Sequence, residues 1–324
     1  MSEPTLKAPF PWFGGKSRVA PIVWEALGDV GNYVEPFAGS LAVLLGRPHA
    51  PRVETVNDLD GYVANFWRAL VADTAGVIQH ADWPVNEADL SARHAWLVST
   101  GKERIERLAG DPDYYDVKVA GWWVWGLCAW IGSGWCSGKG PWVVESGRLV
   151  DGRKLPHLGD AGRGINRQLP HLGTAGMGIN RQRGIDEAAL YALAARLRRV
   201  RVCCGDWSRV CGPSVWRHSK PAGVFLDPPY AQDLRADLYR VETDVSAAVR
   251  EWAVRAVTDA PELRVVLAGY EGEHAMPSDW GVVAWKAAGG YGSQGEGRGK
   301  SNAGLERLWL SPACNAVEGV EAAA

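Results

Sequence analysis

The order of elements between residues 32 and 71 constrains this chain most. Asn32–Glu35 reads as a short strand that runs into the turn Pro36-Phe37-Ala38-Gly39-Ser40, and an apolar helical run follows over residues 41–45. A second strand at residues 53–56 ends at Asn57-Asp58-Leu59-Asp60. Beyond it Val63, Phe66, Trp67, Leu70 and Val71 recur at the spacing of one helix face. Strand, turn, helix, strand and helix in that order open a doubly wound α/β sheet.

The pattern breaks from about residue 81 to residue 184. One helical stretch is expected near residues 88–97, then comes the Trp-rich run Trp122-Trp123-Val124-Trp125, and after Gly138 the chain is rich in Gly and Arg with little periodicity. Residues 155–168 recur almost unchanged as residues 169–182, differing only at Asp160/Thr174 and Arg163/Met177. Two copies this short do not make a solenoid and read as a duplicated loop. Helical periodicity returns at residues 186–199, with Leu190, Leu193, Ala194 and Leu197 on one face. Strand-like runs follow at residues 200–204, 223–226, 264–268, 282–285 and 305–310, with a helix at 246–257. The expected organisation is therefore a discontinuous core, residues 1–80 plus 185–312, split by an insertion at 81–184. Residues 313–324 are small and read as a disordered tail.

At 324 residues the chain is long enough for one α/β domain with an insertion. No stretch approaches the roughly 20 apolar residues of a membrane span, and the N-terminus lacks a signal peptide's apolar core, so a cytoplasmic protein is expected. The six cysteines, Cys128, Cys136, Cys203, Cys204, Cys211 and Cys314, show no zinc-ligand spacing and read as reduced thiols. His157 and His171 repeat 14 residues apart because the loop is duplicated, and no metal is expected. The net charge is −2, yet from Lys139 to Arg183 eight basic residues face three acidic ones. Such a run suits phosphate contact, or else is a solvated loop. Seventeen tryptophans either fill core or offer stacking faces for bases.

Asp227-Pro228-Pro229-Tyr230 carries the chemistry. It follows directly on the apolar run 223–226, and ligands of open α/β sheets bind beyond the carboxyl ends of strands. Prolines fix φ and donate no hydrogen bond, so the carboxylate and the carbonyls beside it form a rigid set of acceptors that suits an NH2 group. The following ring suits stacking on a planar base. Alone, the same four residues also describe a rigid turn with a packed tyrosine. Two other glycine motifs are weaker. Gly14-Gly15-Lys16-Ser17 lacks the earlier glycine of a phosphate loop, since position 10 is Phe10. The Gly290–Gly295 segment matches a dinucleotide pattern but no helix opens after it, so it reads as a loop, with Arg298 and Lys300 near enough to touch phosphates. The absence of a Pro-Cys dipeptide argues against a cysteine nucleophile acting on cytosine C5.

Asp-Pro-Pro-Tyr resembles the catalytic motif of amino-group DNA methyltransferases, and it has company. Pro11-Trp12-Phe13-Gly14-Gly15-Lys16 resembles the N-terminal motif of the Dam-type adenine methyltransferases, Glu35-Pro36-Phe37-Ala38-Gly39-Ser40 their cofactor loop, and Asn57-Asp58-Leu59-Asp60 the acidic end of their second strand. The resemblance covers residues 9–80 and 185–312. It implies a Rossmann-like, S-adenosylmethionine-dependent methyltransferase sheet with an inserted target-recognition region, acting on double-stranded DNA. It implies cofactor contacts from Trp12, Lys16, Glu35, Phe37, Gly39, Asp58 and Asp227, with Lys16 near the cofactor carboxylate and Asp58 on the ribose hydroxyls. Asp227 and the Pro228 carbonyl, braced by Pro229, would hold the amino group of a flipped adenine, and Tyr230 would stack on it. Transfer would be direct and in line, needing no metal. In the insertion, Lys139, Arg163, Arg167, Arg181 and Arg183 would meet DNA, as would Arg298 and Lys300.

Two features depart from the family pattern. Leu41 stands where a glycine is expected, and Trp130-Ile131-Gly132-Ser133-Gly134-Trp135 replaces an expected Asn-Gly motif. Rival readings are methylation of cytosine N4, methylation of adenine in RNA, and a silent DNA-binding protein on the same fold. Asp at the first motif position favours adenine. With no nuclease motif attached, the chain reads as an orphan enzyme of a phage or mobile element.

Overall fold

The structure is a computed structural model that describes residues 6–12, 16–111, 113–130, 135–136, 142–145, 148–151, 185–229, 245–286, 304–319 and 321–322. Its centre is one sheet built from β1 (Asn32–Glu35), β2 (Val53–Asp58), β5 (Val200–Cys204), β6 (Ala222–Leu226), β7 (Arg264–Tyr270), β8 (Gly281–Ala284), β9 (Glu306–Leu310) and the two-residue β10 (Glu321–Ala322). The strands lie in the order β5-β2-β1-β6-β7-β9-β8-β10. The first five are parallel, in registers such as Glu35 opposite Val56 and Val34 opposite Val224. β9 runs against its neighbours β7 and β8, closing the parallel part with an antiparallel hairpin.

Every residue of β1 and β6 is buried. That is why β6, Ala222-Gly223-Val224-Phe225-Leu226, reads as a continuous apolar run rather than an alternation: both its faces are covered. Val34, Val224, Leu226, Val265 and Leu267 point into a core shared with α9 (Pro213–Trp216) and α10 (Ser246–Asp259). Tyr33, Phe225, Val266 and Ala268 point into the core on the other face, shared with α1 (Ala20–Leu27), α2 (Ala42–Leu45), α3 (Gly61–Ala72) and α8 (Glu187–Leu197). Asp60 and Asp186 start α3 and α8 by accepting the Tyr62 and Ala189 N–H groups, which satisfies donors that a helix start leaves open.

Between β2 and β5 the chain adds α4 (Thr74–Ala81), α5 (Glu87–Trp96), α6 (Lys102–Glu106), α7 (Val117–Ala129) and a hairpin of β3 (Trp142–Glu145) with β4 (Arg148–Asp151). The run Trp122 to Trp125 lies inside α7, whose residues from Val119 to Ala129 are buried except Trp122. A helix covered nearly all round has no polar face to give it a period. Gly126 admits the Trp135 ring so closely that a Cβ would lie 1.8 Å from it. Most tryptophans thus fill core, while Trp83 is exposed and shares Arg93 with Trp122 and Trp125 in cation–π contact.

The expected disordered tail is corrected for the residues described. Val317 packs against the core, and the Asn315 N–H donates to the Ala26 carbonyl at 2.8 Å. Glu321 and Ala322 pair with β8. Sheet-edge pairing and one buried valine hold a segment whose small side chains suggested none. The tandem repeat, with His157 and His171, lies outside the described residues, as does the Gly290–Gly295 loop. All six cysteines are free thiols, three of them buried.

Candidate functional site

The chain winds outward from β1 in both directions, to β2 and β5 on one side and to β6 and β7 on the other. Such a switch point opens a crevice beyond the carboxyl ends of the strands. Glu35, Asp58 and Asp227 are the acidic residues placed there by β1, β2 and β6.

The turn after β1 is pinned from two sides. Asn57 donates through Nδ2 to the Pro36 carbonyl at 3.1 Å and to the Gly205 carbonyl at 2.9 Å. Asp58 accepts the Gly39 N–H on Oδ2 at 2.9 Å and the Asp60 N–H on Oδ1 at 2.8 Å. Gly39 has φ +45°, and a Cβ on it would lie 2.2 Å from Trp12 Nε1. Leu41 also has positive φ, at 58°, while its side chain is fully buried. The backbone therefore takes the left-handed turn that glycine would favour, and burial of the leucine offsets the strain. Phe37 is half-buried, its ring 6.2 Å from that of Trp207 and inclined by 28°. Trp207 follows β5 and went unremarked in the sequence, where one more tryptophan among seventeen carried no signal.

Glu35 is buried, and the Tyr33 hydroxyl donates to its Oε2 at 2.9 Å. Burial pushes the Glu35 carboxyl up to about 8, opposed by the Tyr33 hydrogen bond and reinforced by the charge of Asp227. Burial also raises the Tyr33 phenol well above its usual value.

Asp227 leaves β6 and meets Lys16, whose Nζ stands 2.9 Å from Oδ1. Lys16 lies in the turn before α1, where its carbonyl accepts the Ala20 N–H at 3.0 Å. Glu306 Oε2 lies 4.0 Å from the same ammonium, and the Trp285 ring centroid 5.2 Å from it. Both Glu306 and Trp285 are buried, and neither was expected. The signal for Glu306 was a carboxylate at the head of the strand Glu306-Arg307-Leu308-Trp309-Leu310, since acidic residues are seldom fully buried unless paired.

Trp12, Gly39 and Asp58 thus form one group, Lys16, Asp227 and Glu306 another, and Glu35 is linked to the second through the Asp227 charge. Pro228 is buried and Pro229 half-buried. Tyr230 lies outside the described residues, as do Lys139, Arg163, Arg167, Arg181, Arg183, Arg298 and Lys300. Among the described residues no group of three or more His, Cys, Asp or Glu side chains could hold a metal ion, and no helix is long and apolar enough to cross a membrane.

A sheet wound outward from β1, with carboxylates at its switch point, is the fold of the Rossmann-like methyltransferases. Residues 12–107 match the family model described as D12 class N6 adenine-specific DNA methyltransferase. The match spans Trp12, Lys16, Glu35, Phe37, Gly39 and Asp58 and stops well before Asp227. No curated protein matches the chain.

Proposed function

We propose that the crevice at the carboxyl ends of β1, β2 and β6 takes S-adenosylmethionine and presents the N6 amine of an adenine flipped from double-stranded DNA to Asp227. The Lys16–Asp227 pair carries this reading: it holds a carboxylate at the rim of the crevice, directly before two prolines. The residues fit the cofactor. Glu35 is a buried carboxyl facing a second acidic residue, an arrangement that gains from a cation. Asp58 engages each oxygen once with a backbone N–H, and a carboxylate has further lone pairs to accept ribose hydroxyls. Gly39 gives the close backbone approach, and Trp12 and Phe37 flank that turn. Bound there, S-adenosylmethionine would supply an electrophilic methyl on sulfonium.

The chain's own groups do the remaining work. The adenine amine is a poor nucleophile because its lone pair is delocalised into the ring. Asp227 and the Pro228 carbonyl accept its two N–H bonds and favour a localised lone pair. Those hydrogen bonds strengthen as positive charge grows on nitrogen, which stabilises the transition state. Tyr230 stacks on the base in this reading. The insertion 81–184 reads the target, with Lys139, Arg163, Arg167, Arg181 and Arg183, together with Arg298 and Lys300 from the later loop, on phosphates or base edges. The setting is the cytoplasm of a bacterial or phage-infected cell, where such DNA lies.

The test is expression in a methylation-free host followed by single-molecule sequencing of its DNA. N6-methyladenine at a defined site, lost in Asp227→Ala, is the expected result. Modified adenine that persists in the variant would remove Asp227 from the reaction.

A further inference from the structure

Two carboxylates converge on one ammonium beside the proposed amine site, and only Asp227 has a role so far. Glu306 is the first residue of β9 and is held from both sides. It sits opposite Tyr270 of β7, and its carbonyl accepts the Trp285 N–H at 3.2 Å. Its side chain is 5% exposed and that of Lys16 10%. The rest of the strand supplies Leu308, Trp309 and Leu310 to the cores. A carboxylate in that setting costs several kcal/mol to desolvate unless a cation or donors repay it. Lys16 Nζ is 2.9 Å from Asp227 Oδ1 and 4.0 Å from Glu306 Oε2. An ammonium has three donors and turns on a flexible stem. A displacement of about 1 Å would bring it within hydrogen-bond distance of Glu306.

We infer that Glu306 is a positioning residue for methyl transfer: it takes the Lys16 ammonium when Asp227 turns to the substrate amine. While the Lys16 ammonium holds Asp227 Oδ1, its positive charge makes the carboxylate a weaker acceptor for the substrate amine. A second carboxylate 4.0 Å from the same ammonium lets the pair part while the buried charge stays compensated. The Trp285 face, 5.2 Å away, borders the same space.

This inference rests on the reading of Asp227 given above, and the test separates the two. In the full chain, Glu306→Gln keeps the shape and removes the charge. Single-turnover methylation of a substrate duplex should slow by about tenfold, within the coupling that neighbouring charged groups show. Calorimetric affinities for S-adenosylmethionine and for DNA should stay within about threefold of wild type. Glu306→Asp should recover part of the rate. In a Lys16→Met background, adding Glu306→Gln should slow transfer no further. A wild-type rate in Glu306→Gln beside an inactive Asp227→Asn would overturn the role of Glu306 and leave Asp227 standing. Full activity in Asp227→Asn would overturn the underlying reading instead. Equal additive losses in the Lys16→Met background would also overturn the role of Glu306, even where Glu306→Gln lowers the melting temperature.

Discussion

Trp12 occupies the space that a side chain at Gly39 would need: a Cβ there would lie 2.2 Å from the indole nitrogen. Gly39 also holds φ +45°, so alanine would meet both a left-handed penalty of about 1–2 kcal/mol and a clash with a ring. Gly39→Ala is expected to destabilise the fold by about 2 kcal/mol or more in urea unfolding. It should also weaken binding of S-adenosylmethionine in calorimetry. Adding Trp12→Ala removes the clash and leaves the strain, so the double variant should be less unstable than the two losses added together. Strict additivity would mean that the two residues do not touch.

Asp58 holds the same turn from below, through the Gly39 and Asp60 N–H groups. Asp58→Asn turns one acceptor into a donor that faces an N–H. Hydrogen bonds to charged groups contribute about 1.5–3 kcal/mol each, and Asp58 is half-buried, so a loss near the lower end is expected. Thermal unfolding without ligand is the check. A variant as stable as wild type would leave Asp58 with no structural role in the turn.

Much of this arrangement was legible in the sequence. Strands β1 and β5 fall where the pattern placed them, because each is a short run with β-branched or aromatic residues that ends at turn residues, Pro36 to Ser40 after β1 and Gly205-Asp206 after β5. Trp12, Gly39 and Asp58, each expected as a cofactor contact, stand together because Gly39 leaves room for the Trp12 ring and donates its N–H to Asp58. Glu306 was not legible, since it reaches Lys16 across 290 residues through a hairpin whose register no local pattern encodes. Helix α7 escaped because its tryptophans are buried on nearly every side. Tyr230 and the basic residues assigned to DNA lie outside the described residues.

Leu41 sets two effects against each other, and their sizes decide the outcome. Its left-handed backbone, φ 58°, costs about 1–2 kcal/mol that glycine would recover. Its fully buried side chain contributes more, since truncating a buried leucine costs about 2–5 kcal/mol. Glycine further gains freedom in the unfolded chain. Leu41→Gly should therefore destabilise by about 1–3 kcal/mol in urea unfolding. A more stable variant would show that strain outweighs packing at this turn.

Glu35 should write itself into the dependence of stability on pH. Its carboxyl ionises near 4.5 when exposed and near about 8 in the fold, mainly because it is buried. Between those values the folded chain binds one proton more than the unfolded chain, so stability falls as pH rises, by at most about 1.4 kcal/mol per unit. Below the lower value both states keep the proton, and above the higher one neither does. A glutamine side chain has no proton to lose, and its carbonyl can still accept the Tyr33 hydroxyl. Glu35→Gln should therefore gain on wild type by a few kcal/mol between about pH 5 and about pH 8. Urea unfolding at intervals across that range measures it, the difference between the two proteins cancelling every other group. Saturating S-adenosylmethionine should shrink the difference, because a cation beside Glu35 would favour the ionised form that burial opposes. Parallel curves without ligand would show that Glu35 is already ionised in the folded protein.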